Sequence, residues 1–149
     1  MTDHAYQRLP YLVSFEDHSL IKETYAGQLN RITLEGHLLR PDDRPSKTVL
    51  IFMHPSGLMH YLPMPLAMAR AGHHVMTCGS RYPKNDSALI MEKVALDMGA
   101  HIRHAKEAFG YEKIILAGWS GGGSLSMFYQ SEAEDPSITQ TPAGDPVDV

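Results

Sequence analysis

The 149-residue sequence has one cysteine, no histidine beyond position 104 and no long apolar run. A lone Cys78 excludes an internal disulfide and any multi-cysteine zinc or iron–sulfur cage. It is read as a small buried residue at the end of a strand. No stretch approaches the roughly 18 apolar residues of a bilayer span. The N-terminus, MTDHAYQRLPYLVSFEDHSLIKE, is polar where a signal peptide needs about 7–15 apolar residues. There is no excess of positive charge either: 13 Lys and Arg stand against 17 Asp and Glu, net −4. A nucleic-acid grip built on phosphate neutralisation is therefore not expected. Neither G-x-x-x-x-G-K-[ST] nor H-E-x-x-H occurs, and no G-x-G-x-x-G opens a βαβ unit, so neither a metal nor a nucleotide cofactor is implied. These absences suit a reduced, cytoplasmic setting with no membrane partner.

What is present fits one globular domain: 43% apolar and 20% charged residues. Residues 11–16 and 21–25 are short candidate strands, with a turn at 27–30. Residues 31–39 alternate Ile32, Leu34 and Leu38 with polar neighbours, the pattern of an amphipathic strand. The stretch 40–46, RPDDRPS, is turn chemistry. At Thr48 the character changes. TVLIFM at 48–53, HHVMTC at 73–78 and KIILAG at 113–118 are short continuous apolar runs, suited to strands covered on both faces. Helices are expected between and after them. One covers 62–71, with Pro63 and Pro65 in its first turn. One covers 88–109, capped by Asp86 or Ser87 and stopped by Gly110. One covers 121–132. Alternating strands and helices behind an antiparallel lead-in predict an α/β fold with a mostly parallel sheet flanked by helices.

The sharpest feature is Gly118-Trp119-Ser120-Gly121-Gly122, a G-x-S-x-G placed between a buried strand and a helix. Such a turn holds a serine strained and exposed. It tolerates little side chain at Gly118 and Gly122, and it aims the Gly121 N–H at developing negative charge. A second feature is His54-Pro55-Ser56-Gly57, directly after the first buried strand. Pro55 has no N–H, so Ser56 or Gly57 is the candidate backbone donor of this loop. His54 is read as a brace for the loop.

With these two loops in this order, the sequence resembles the N-terminal half of an α/β-hydrolase fold protein over approximately residues 20–132. The resemblance implies that Ser120 is the nucleophile and Gly121 one oxyanion donor, with Ser56 or Gly57 the other. Pro55 stands where that family commonly has glycine. The implied activity is serine hydrolysis of an ester, thioester or related carbonyl substrate through an acyl-enzyme, on a small-molecule acyl substrate. The alternative is a non-catalytic protein of the same fold that binds a ligand or partner.

The family order is serine, then an acid, then histidine. Acids follow Ser120 (Glu132, Glu134, Asp135, Asp145 and Asp148), but all nine histidines precede it. Residues 1–149 are therefore expected to be the N-terminal portion of one hydrolase domain, with about 136–149 a loop or the start of a cap. The acid and His are expected outside this chain. The sheet is expected to be incomplete and to need a complementary C-terminal segment or chain, or self-association. Met53, Met59, Met64 and Met68 are candidates for an apolar pocket, though core filling is the commoner use of such residues. Trp119 is read as core or, beside the serine, as pocket wall, core being the commoner use. Arg81 is either a ligand contact, with Tyr82 beside it, or a solvated loop residue.

Overall fold

The computed structural model describes residues 3–17, 31–142 and 144. The elements are β1 (Tyr6–Glu16), β2 (Arg31–Pro41), β3 (Thr48–Met53), α1 (Pro63–Arg70), β4 (Val75–Cys78), α2 (Met91–Glu107), β5 (Lys113–Ala117) and α3 (Gly121–Glu134). The strand expected at 21–25 and the turn at 27–30 lie outside the described residues. The described strands form one sheet in the order β1-β2-β4-β3-β5. β1 pairs antiparallel with β2, and β2 antiparallel with β4. β3 lies parallel to both β4 and β5. This is the expected α/β architecture with an antiparallel lead-in.

Side-chain alternation explains why the parallel strands read as unbroken apolar runs. Val49, Ile51 and Met53 of β3 pack in one cluster with Val94 and Met98 of α2 and Leu125 of α3. Phe52 faces the other way and packs with Leu39, Met59, Val75 and Ala69 of α1. Both faces of β3 are covered, so neither set of positions can be polar. β1 is longer than expected because its whole length pairs with β2, from Tyr6 opposite Pro41 to Glu16 opposite Arg31. Its residues alternate between half-buried and exposed, which masks the hydrophobic signal at its start.

α2 starts at Met91, later than the capping signals suggest. Ile90 precedes it with no side-chain capping bond. Asp86 instead accepts a hydrogen bond from the Ser56 hydroxyl, so its carboxylate is spent on the loop after β3. Gly110, at φ 74°, follows the helix as the expected stop.

Two polar features lock the layers together. Tyr11 of β1 lies across Gly36 of β2, where an added Cβ would sit 2.3 Å from the ring. Its hydroxyl donates to His101 Nδ1 at 2.9 Å, while His101 Nε2 donates to the Gly79 carbonyl at 2.8 Å. Burial holds the His101 imidazole down to about 4. The Tyr11 hydroxyl also lies 3.3 Å from the fully buried Cys78, whose thiol burial pushes up to about 12. Cys78 is thus a packed strand-end residue, not a reactive thiol.

The second feature corrects the reading of Arg81 as a ligand contact or a solvated side chain. Its backbone N–H and guanidinium donate three hydrogen bonds to Asp97 of α2, at 2.8–3.0 Å. The guanidinium also pairs with Asp17 at the end of β1. Burial opposes the Arg81 charge, but Asp97 and Asp17 more than offset it and raise its pKa. Burial in turn pushes Asp97 up, to about 6, against the pull of Arg81. Tyr82 is buried beside it. No helix among the described residues is long and apolar enough to cross a membrane.

Two outcomes are expected. Asp97→Ala strands a buried guanidinium and should cost about 3–5 kcal/mol in urea unfolding. His101 has a folded pKa of about 4 against an ordinary value of 6.5. Its stabilisation is therefore complete above 6.5 and lost as pH falls toward 4, because the unfolded chain takes up the proton first. Between pH 7 and pH 5 this amounts to about 2 kcal/mol. His101→Gln should remove that part of the pH dependence.

Candidate active site

The site is assembled by topology. From β3 the chain crosses to β4 on one side, then returns past β3 to β5 on the other. The C-terminal ends of β3 and β5 flank that switch point, where ligands bind in open α/β sheets. β3 runs into His54-Pro55-Ser56-Gly57 and β5 into the glycine-serine turn, so the fold brings both sequence-identified loops together.

Ser120 sits between β5 and α3 at φ 53° and ψ −129°. A non-glycine residue with positive φ is strained and needs its surroundings to hold it. The surroundings here are backbone. A Cβ at Gly118 would come within 2.3 Å of Gly123 Cα, and one at Gly122 within 2.3 Å of the Met53 carbonyl oxygen. The first turn of α3 therefore rests directly on the last residue of β3. The Gly122 N–H donates to the Trp119 carbonyl and the Gly123 N–H to the Ser120 carbonyl, both at 2.9 Å, closing the turn. Ser120 is exposed at its apex.

His54 links the two loops. Its Nδ1 accepts the Ser56 N–H at 3.2 Å and the Gly57 N–H at 2.8 Å. The ring must then carry its proton on Nε2, which points toward the elbow: a Cβ on Gly121 would lie 3.0 Å from it. His54 thus lies against Gly121 and braces the loop. The loop is tied down further by Ser80, whose hydroxyl donates to the Pro55 carbonyl. The Lys84 N–H also donates to the Ser56 carbonyl, at 2.7 Å. Ser80 and Lys84 escaped sequence reading, and Asp86 was assigned to a helix cap, because their role is a long-range loop contact with no local spacing signal.

Apart from His101, described above, and the exposed His73, the other described histidines are engaged elsewhere. His4 pairs with Asp43, His60 with Thr77, and His74 with Tyr111 and the Arg44 carbonyl. His104 stacks on Tyr11 and His37 packs against His60. His18 lies outside the described residues. Of the acids after Ser120, Glu132 accepts hydrogen bonds from the backbone of Ser137 and Ile138 and from the Ser137 hydroxyl. Those bonds hold its carboxyl below the usual range. Asp145 and Asp148 lie outside the described residues. Among the described residues no group of three or more His, Cys, Asp or Glu is placed to hold a metal.

Beside the elbow lies a half-open apolar groove of about 360 Å³, lined by Leu62, Pro63, Met64, Ala67 and Trp119. Trp119 is 50% exposed, so it forms wall rather than core. Of the four methionines suggested for a pocket, Met53 and Met59 are buried in the two cores and Met64 lines the groove.

No known family profile and no curated protein sequence matches the chain. Solved structures do. The peroxisomal α/β-hydrolase Lpx1 of Saccharomyces cerevisiae aligns at TM-score 0.58 and 17% identity, over 89% of this chain and 42% of that one. The esterase Est22 aligns at TM-score 0.55 and 16% identity, again over 89% and 42%. A bacterial heroin esterase aligns at TM-score 0.54 and 19% identity, over 93% and 42%. The chain thus spans less than half the length of the structures it matches. At such identities the likeness speaks to fold. The chain carries part of an α/β-hydrolase fold, the part that includes the parallel crossovers and the serine elbow.

Proposed function

We propose that the chain contributes the nucleophile and oxyanion loops of a serine hydrolase acting on an ester, thioester or related carbonyl compound. One observation carries this reading. Ser120 is held at φ 53° by backbone contacts that leave no room for side chains at Gly118 and Gly122. Strain of that kind at an exposed polar residue is characteristic of functional sites. The α/β-hydrolase and esterase neighbours support a hydrolase at the level of fold.

In the proposed reaction Ser120 Oγ attacks the carbonyl carbon while a histidine from outside the chain takes its proton. The Gly121 N–H, at the start of α3, stabilises the resulting oxyanion. The second donor is Ser56. Its N–H is held by His54 Nδ1 at 3.2 Å, against 2.8 Å for Gly57, and so is the more easily recruited by a substrate oxygen. The alkoxide or thiolate leaves with the proton from the histidine. Water then attacks the acyl-serine, giving the acid and free Ser120. The complementary segment or chain that brings the acid and His docks along the open edge of β5, where Ile115 is 40% exposed. The alternative is a protein of the same fold that binds a ligand or partner without chemistry.

In the polypeptide or assembly that supplies the acid and His, a fluorophosphonate should label Ser120, read by peptide mass spectrometry. Ser120→Ala should abolish labelling. Failure of that assembly to label points to binding without chemistry. Gly122→Val should lower labelling by about 100-fold or more, since the elbow can no longer seat on Met53.

A further inference from the structure

We propose that His37 and His60 form a proton-operated latch on the loop after β3, shut while both rings are neutral and opened when they take up protons. The latch stands without the hydrolase reading. Only its bearing on Ser56 and Gly57, which the same loop carries, rests on that reading.

The latch ties the loop to three strands. His60 stands near the end of the loop and is almost fully buried. Its Nδ1 lies 2.9 Å from the Thr77 hydroxyl of β4. Its carbonyl accepts a hydrogen bond from the Arg8 guanidinium of β1 at 2.8 Å, and that guanidinium also lies over the Tyr61 ring. His37 of β2 packs edge-on against the His60 ring, with centroids 4.3 Å apart. Yet His37 Nδ1 and His60 Nε2 are both buried without a hydrogen-bond partner. Buried polar atoms are rarely left so, and such exceptions call for a reason. The Glu35 carboxylate, 3.7 Å from His60 Nε2, is beyond hydrogen-bonding distance and mostly exposed.

The surroundings hold both rings neutral. A proton on either would sit among like charges: Arg8, the other imidazole and, for His60, His101 of α2. Glu35 pulls the other way, but burial is the largest cause and keeps both rings below the ordinary value of 6.5. In an open, hydrated loop the ordinary value returns. The shut state is therefore fully favoured above about 6.5 and loses ground as pH falls below it, because the open loop takes up protons first. Opening gains up to about tenfold per pH unit for each ring released, and up to about a hundredfold for the pair.

Amide hydrogen exchange of the full chain between pH 7 and pH 5, corrected for the intrinsic rate, tests this. The reporter is the Leu62 N–H, which donates to the Met59 carbonyl. It lies at the far end of the loop from His54, whose Nδ1 accepts two backbone N–H groups. Its protection relative to the amides of β3 should fall about tenfold or more. His60→Asn, which keeps a polar group toward Thr77, and His37→Gln should each flatten this dependence, and the two together should remove it. Glu35→Gln should steepen it, since nothing then favours the charged rings. The ring Cε1–H resonances of the unaltered chain need no variant: both histidines should titrate below 6.5. Titration at or above 6.5, or a dependence that survives in the folded double variant, overturns the proposal. A flat exchange profile with Ser120 labelled by fluorophosphonate removes the latch and leaves the hydrolase reading. An acid response without labelling does the reverse.

Discussion

The contact on which the site depends is the seating of α3 on the end of β3. Gly122 lies so close to the Met53 carbonyl that no side chain fits, and Gly118 lies equally close to Gly123. Those approaches force the turn that puts Ser120 at positive φ. They also bring the elbow within reach of the loop that follows Met53. Without them the serine would relax into an ordinary helix start, and His54 would have nothing to bridge. The strain costs on the order of 1–3 kcal/mol and persists because rigid backbone on both sides leaves no alternative.

The rest of the fold serves as a rigid mount for that contact. β3 is held between β4 and β5 and buried on both faces, so the Met53 carbonyl cannot give way. The loop after β4 is pinned to α2 and to the end of β1 by Arg81, Asp97 and Asp17. The same loop reaches back through Ser80 and Lys84 to hold Pro55 and Ser56. A single polar chain of contacts thus runs from the antiparallel edge to the loop after β3. A buried charge pair of this kind adds little net stability, but it fixes one arrangement of the loops over others.

The groove and the glycine-serine turn share Trp119, which is half-exposed and lines the groove together with Leu62, Pro63, Met64 and Ala67 at the start of α1.

Much of this was written locally in the sequence. The β-branched run at 48–53 needs cover on both faces, and the order of strands and helices then leaves few topologies. Gly118, Ser120 and Gly122 at their spacing between strand and helix give away the elbow, because only glycine permits such close backbone approach. The helix start at Met91 and the fates of Arg81, Asp86 and Trp119 were not legible in the same way. Asp86 has the identity of a helix cap and Arg81 that of a surface residue. Each instead meets a partner far along the chain: Ser56 for Asp86, and Asp97 and Asp17 for Arg81. Trp119 could be core or wall from sequence alone; it is half-exposed and lines a groove with the start of α1. Local spacing determined where the chain must turn. Only tertiary structure, by setting which distant groups come within hydrogen-bonding or packing distance, decided what the residues at those turns face.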